Sequence, residues 1–315
     1  MERSQLERRN FLQLFGALGA AAAFPTATIA KPYDPAAKFD LKVTDVPFRR
    51  NAAGRQLFAR VYQPASTPTS TGPFPMVLDL HGGAWTRKDR FAEEPMDRAV
   101  AASGVVVVAI DMTLSGEAPY PANIQDANYG LRWIKSKAGE WRGVPSSVGI
   151  YGSSTGGHIG VLLAMRPRDP RYNAIPLEGA PNIDASVAYV ASRSPITDPY
   201  TRFQQAEKMK RDTLIQASKR YFSPWESIYE ANPQQILERK DPVALRPLLI
   251  MQGDLDDNVL PAVQQKFADT YRAAGGDCRY ELFANSEHEW TGKAGPQTTR
   301  AQEMVKGFIA RNVSA

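Results

Sequence analysis

Residues 150–160 read IYGSSTGGHIG. The apolar run SVGIY (147–151) leads into this stretch and GGHIGVLLAM (156–165) continues it, so a strand gives way to a helix within a few residues. Two serines stand side by side at the changeover. Gly152-Ser153-Ser154-Thr155-Gly156 fits Gly-x-Ser-x-Gly with Ser154 at its centre. Centring on Ser153 would put Tyr151 and Thr155 at the glycine positions. A sharp strand-to-helix turn strains its central residue, and bulk at either flank would clash with the adjacent chain. The glycine register therefore selects Ser154 as the candidate nucleophile. It would stand at the N-terminus of the following helix, where free N–H groups and the helix dipole favour an anion.

Outward from this turn, strand-like and helical runs alternate. FDLKVTDVPF (39–48) and RQLFARVYQ (55–63) alternate apolar and polar residues and predict an antiparallel start. MVLDL (76–80) and GVVVVAID (104–111) are continuous apolar runs of the kind found in a sheet covered on both faces. SVGIY (147–151), ASVAYV (185–190), PLLIMQ (247–252) and RYELF (279–283) follow, with helical stretches at 95–103, 122–138, 155–165, 261–275 and 297–312. This alternation predicts an α/β fold built on a doubly wound, mostly parallel eight-stranded sheet. Ligand sites of such sheets lie at the carboxyl ends of the strands. PASTPTSTGPFP (64–75) predicts a surface loop. Residues 196–243 exceed what one crossover helix needs and predict an inserted helical cap over the strand ends.

The loops after the strands hold the candidate chemistry. After MVLDL comes His81-Gly82-Gly83-Ala84-Trp85. The N–H groups of Gly82 and Gly83, with that of Thr155, can form an oxyanion hole. A serine hydroxyl needs a general base, and the chain has three histidines. His81 belongs to the oxyanion loop and is expected to brace it. His158 lies one helical turn after Ser154 and is expected to point into packing. His288, in FANSEHEW after the last strand, is left as the base. Its orienting carboxylate is expected from MQGDLDDNVLP, which offers Asp254, Asp256 and Asp257.

Composition narrows the alternatives. The chain has 315 residues, 43% of them hydrophobic and 23% charged, with a net charge of +5. That charge is small and dispersed, with no run beyond pairs such as Arg49-Arg50, so no nucleic-acid partner is expected. One cysteine, Cys278, excludes an intramolecular disulfide and a multi-cysteine metal site. The N-terminal stretch ERRNFLQLFGALGAAAAFPTATIA has a charged head, an apolar run from Phe11 to Phe24, and small residues up to Ala30. The run is too short for a spanning helix, which needs roughly 20 residues. It predicts a cleavable export signal over residues 1–30, and Arg8-Arg9-Asn10-Phe11-Leu12 is similar to a bacterial twin-arginine signal. The expected destination is the periplasm or the exterior, with no stable membrane anchor after cleavage.

With these motifs in hand, the chain resembles the α/β-hydrolase superfamily over nearly its whole length beyond the leader. Within it, the chain is similar to carboxylesterases related to the hormone-sensitive-lipase-like and feruloyl-esterase-like groups. LDLHGGAW (78–85) resembles the family's oxyanion block, and GSSTGGH (152–158) its nucleophile turn, with Thr155 in place of the commoner alanine. IDMTLSGEAPYPANIQDANYGLRWI (110–134) is similar to a block marked by Pro121 and Asp126. The family's acid loop, Gly-x-x-Asp-x-x-Val, falls on Gly253, Asp256 and Val259, and so the resemblance selects Asp256. Ala84 stands where a third glycine is frequent, and Thr113 where an arginine often follows the fourth strand. The resemblance implies ester hydrolysis by Ser154, Asp256 and His288 through an acyl-enzyme, with no metal or cofactor. The expected substrate is a small ester of apolar or aromatic character, with Trp85, Tyr200, Phe203, Tyr221, Phe222, Trp225 and Trp290 as candidate pocket residues. The rival expectations are a peptidase or amidase of the same fold and a non-catalytic binding protein on the same scaffold.

Overall fold

In the computed structural model, residues 33–65 and 72–313 are described. The expected leader, with Arg8 and Arg9, and half of the expected loop at 64–75 lie outside the described residues. The strands are β1 (Leu41–Arg50), β2 (Gln56–Pro64), β3 (Met76–Leu80), β4 (Val106–Ile110), β5 (Gly149–Ser153), β6 (Val190–Arg193), β7 (Leu248–Gly253) and β8 (Cys278–Phe283). They form one sheet in the order β1-β2-β4-β3-β5-β6-β7-β8. β2 pairs antiparallel with both β1 and β4, and every pairing from β4 to β8 is parallel.

Alternation along the central strands builds two cores. Leu78, Leu80, Val106, Val108, Ile110, Ile150 and Ile250 face one side, against α2 (Ala122–Ser136), α3 (Thr155–Met165) and α8 (Pro261–Ala273). Val77, Val107, Ala109, Tyr151, Leu249 and Met251 face the other, against α1 (Glu94–Ala101) and α9 (Pro296–Val313). Burial on both faces is why β3 and β4 are apolar at nearly every position. The exception is Asp79 in β3, which is buried.

Between β6 and β7 lie the short helices α4 (Pro199–Lys208), α5 (Asp212–Tyr221), α6 (Ser227–Glu230) and α7 (Pro233–Glu238). They are pinned to the start of α2 and to the segment after β6. The Tyr120 N–H donates to Tyr221 O at 2.9 Å, the Tyr221 hydroxyl to Asn123 Oδ1 at 2.8 Å, and the Gln234 N–H to Thr197 O at 2.9 Å.

Candidate active site

The turn at Ser154 has the geometry the glycines require. Ser154 adopts φ 53° and ψ −114° between β5 and α3, a conformation that costs a non-glycine residue of order 1–3 kcal/mol. A Cβ on Gly152 would meet Gly156 O at 2.7 Å, and one on Gly156 would run into the Leu80 carbonyl of β3. The strained residue is clamped to β6: its N–H donates to Arg193 O at 2.9 Å and its carbonyl accepts from the Ile196 N–H at 3.2 Å. Ser153 points away from this site and is fully buried, donating to a Glu93 carboxylate oxygen at 2.5 Å.

Ser154 Oγ lies 2.9 Å from His288 Nε2, and His288 Nδ1 lies 2.8 Å from Asp256 Oδ2. A carboxylate only accepts, so Nδ1 carries the proton and Nε2 is free to accept from the serine. Asp256 is buried, and four donors converge on it. Gln252 Nε2 and His288 Nδ1 donate to Oδ2, and the Asn258 and Val259 N–H groups donate to Oδ1. Burial alone would raise this carboxyl. The hydrogen bond and charge of His288, with the Val259 N–H, overcome burial and hold it below the ordinary carboxylate value. His288 is held below the ordinary imidazole value, chiefly by burial, with Asp256 opposing and Arg193 and Arg202 adding to the fall. At neutral pH the imidazole is therefore the neutral base.

The other two histidines are committed elsewhere. His81 is buried and its Nδ1 donates to Gly82 O at 2.8 Å. His158 donates Nε2–H to Ala231 O at 2.7 Å, and burial pushes it down to about 4. Gly82 and Gly83 follow β3, beside the turn: a Cβ on Gly82 would lie 3.3 Å from Ser154 Cβ. Among the described residues nothing accepts from the N–H groups of Gly82, Gly83 or Thr155, the last being the first residue of α3. Ala84 and Trp85 next in this loop have φ of 55° and 61°. The left-handed backbone at Ala84 is the physical reason glycine suits that position.

The remaining acids and aromatics have partners of their own. Asp254, one of the three candidate carboxylates, does not face His288; its Oδ1 accepts from the Ser286 N–H at 3.1 Å, tying the acid loop to the histidine loop. Asp257 faces solvent and pairs with Arg211. Trp85 stacks on Tyr221 with ring centres 4.6 Å apart, and Phe222 and His158 pack edge-on against it. Phe203 packs on Trp225, and Tyr200 on Tyr229. Trp290 is a correction: it packs on Phe283 in the core layer of α1 and α9, because the chain turns under the sheet immediately after His288.

A second set of residues lies beneath the site. Arg193, at the end of β6, is 2% exposed; it pairs with Glu93 at 3.2 Å and donates to the carbonyl oxygen of His288. Glu93 also receives the Ser153 hydroxyl, so one buried acid links the strand before Ser154 to the backbone of the histidine. The sequence reading missed this network. Its one signal was a charged residue closing an otherwise apolar strand, in VASRSP (190–195).

A family model described as BD-FAE matches residues 61–270, well over half of the chain; the match ends before His288. Carboxylesterase NlhH of Mycobacterium tuberculosis is 32% identical over 157 residues, 49% of this chain and 46% of that protein. Esterase LipQ of the same organism is 22% identical over 282 residues, covering 87% of this chain and 63% of its own length. The chain thus spans about half to two thirds of the length of these curated relatives. Among solved structures, esterase B of Lactobacillus rhamnosis superposes with a TM-score of 0.71 at 20% identity over 87% of each chain, a likeness of α/β-hydrolase fold. With the family match running from within β2 to within α8, and so through the oxyanion loop, the nucleophile turn and the acid loop, the chain belongs to the BD-FAE family.

Proposed function

We propose that the protein is a serine hydrolase of carboxylic esters. The observation that carries this reading is the unbroken chain from Ser154 Oγ through His288 to Asp256, set beside N–H groups with no acceptor. In the reaction His288 Nε2 takes the hydroxyl proton as Ser154 Oγ bonds to the ester carbonyl carbon. The N–H groups of Gly82, Gly83 and Thr155 receive the developing oxyanion. His288 returns the proton to the departing alkoxide, leaving an acyl-enzyme and a free alcohol. Water, deprotonated by the same imidazole, then attacks the acyl carbon, and the proton passes back to Ser154 as the acid leaves. Asp256 holds the tautomer throughout and stabilises the imidazolium. Relatives named as esterases support ester over amide substrates.

Aromatic rings around the cap support an apolar or aromatic group on the substrate, Trp85, Tyr221 and Phe222 being packed together beneath it. Phe222 also borders an open groove of about 470 Å³ lined by Tyr200, Phe203, Lys219 and Trp225. The N-terminal motif supports a site of action outside the cytoplasm.

A fluorophosphonate probe tests the mechanism. It should label the wild-type protein and Ser153→Ala but not Ser154→Ala, and ester hydrolysis should follow the label. Ser153→Ala should lower Tm, since it removes one of the two buried donors to Glu93, the other being Arg193, a loss of about 1–3 kcal/mol. Labelling retained in Ser154→Ala would end the assignment.

A further inference from the structure

Arg202, on cap helix α4, is 6% exposed. Its Nε donates to Asn258 Oδ1 at 3.0 Å, and its guanidinium carbon lies 5.7 Å from the centre of the Trp85 ring. Asn258 in turn donates its N–H to Asp256. Trp85 lies two residues beyond Gly83 in the oxyanion loop. One side chain therefore bridges the acid loop and the oxyanion loop.

Its charge is not compensated in the way of its buried counterparts. Arg193 has Glu93, and the half-buried Arg49 has Asp126. Arg132, which lacks an acid partner, places Nε on Asn128 and a terminal nitrogen on Ile175 O. Among the described residues no carboxylate lies within 4 Å of Arg202, and its two terminal nitrogens have no acceptor. The acid whose charge acts on it, Asp256, is already shared among four donors. Arg211 adds a further positive charge nearby. Burial pushes Arg202 down to about 10, so it stays charged at neutral pH. The buried Nε1–H of Trp85, under the guanidinium, also lacks an acceptor. Little of Arg202 meets water, yet its terminal nitrogens are not sealed off, and a guanidinium so placed with no carboxylate of its own is favourably completed by an anion. A planar pair of acceptors matches both its fork and the neighbouring indole N–H.

We propose that Arg202 is a specificity determinant that receives a free carboxylate on an aromatic ester substrate. This rests on the esterase reading and narrows its substrate class. The carboxylate takes no part in the bond changes; it orients the ester and completes the charge.

The test uses para-substituted pairs that differ only in acid against amide. With the carboxylate on the alcohol side they are 4-acetoxybenzoate and 4-acetoxybenzamide; on the acyl side they are monoethyl terephthalate and ethyl 4-carbamoylbenzoate. Wild type should prefer the acid of at least one pair by about tenfold or more in kcat/KM, because a site built for a polar group rejects the analogue lacking it. The ratio should fall to about one or below in Arg202→Gln and be partly kept in Arg202→Lys. Benzoate, but not benzamide, should inhibit wild-type hydrolysis of 4-nitrophenyl acetate competitively, a measurement independent of how the variants fold. Acid-to-amide ratios near one in both pairs, with neutral esters still hydrolysed, would overturn the carboxylate site and leave the esterase standing. No turnover of any ester by wild type would instead remove the esterase reading itself.

Discussion

Asp254, Asp256 and Asp257 carry the same group on one loop, and each meets a different partner. Asp256 faces His288, Asp254 holds the Ser286 N–H, and Asp257 reaches Arg211 in solvent. Replacing Asp256 by Asn puts an amide where the Nδ1–H needs an acceptor and removes the charge that stabilises the imidazolium. Asp256→Asn should lower kcat/KM on an activated ester by roughly 10³- to 10⁵-fold. Asp257→Asn breaks an exposed pair and should cost about threefold or less. Asp254→Asn keeps an acceptor for Ser286 and should stay within about tenfold. Steady-state kinetics with thermal melts as a folding control decide the matter; a collapse at Asp254 or Asp257 with Asp256 spared would reassign the carboxylate. Residues at this scale were legible where chemistry has a short-range signature. Gly152 and Gly156 single out Ser154 because a Cβ at either would strike backbone, and three histidines can be sorted by the loops that carry them. Glu93, Arg193 and Arg202 were not legible. They come from the residue that caps α1, from β6 and from α4, and no spacing in the chain tells what a distant arginine will face.

Strands and helices follow the same division. The helix at 155–165 has the bounds its apolar pattern predicts, and those at 122, 261 and 297 begin within a residue of expectation. β6 does not: it was expected over 185–190 and runs over Val190–Arg193. The polar end is drawn into the sheet by tertiary partners, Ser192 Oγ donating to Gly152 O and Arg193 finding Glu93. Asp79 is the matching anomaly in β3. It faces α1, where Glu93 and Asp97 are also buried. Burial first, and the charge of Glu93 second, raise the Asp79 carboxyl well above its ordinary value, with Arg193 opposing. The sign follows from proton linkage. Above about pH 4 the unfolded chain releases the Asp79 proton while the folded chain keeps it, so stability falls as pH rises toward the folded pKa. Asp79→Asn keeps the neutral shape and removes the titration. It should raise Tm at pH 8 by about 2–4 °C, with the gain shrinking toward zero at pH 4. A loss of stability at pH 8, or a gain that is the same at every pH, would mean that Asp79 is ionised in the folded protein.

At the scale of the whole molecule the site is assembled from the carboxyl ends of the central strands. The oxyanion loop follows β3, Ser154 follows β5, the acid loop follows β7 and the histidine loop follows β8, while the cap between β6 and β7 adds Arg202. Every described strand and helix lies beyond residue 40. Removal of residues 1–30 therefore takes no element of the described sheet or its helical layers away. The lone cysteine is buried in the last strand, and the fold requires no disulfide. A chain of this kind gains nothing from an oxidising compartment during folding, so folding before export is compatible with its chemistry, which is what a twin-arginine signal demands. The two guanidinium groups of Arg8 and Arg9 are the feature such a signal presents, and lysine keeps the charge without the planar fork. With both replaced by Lys, the protein should accumulate in the cytoplasm of a host that has the twin-arginine route, at full length and with active esterase inside the cell. The wild-type protein should appear outside the inner membrane about 30 residues shorter. Fractionation, activity assay and intact mass check both statements. Export of the double-lysine variant at the wild-type level would assign the N-terminal pattern to another route, and retention of an uncleaved wild type would remove the export proposal.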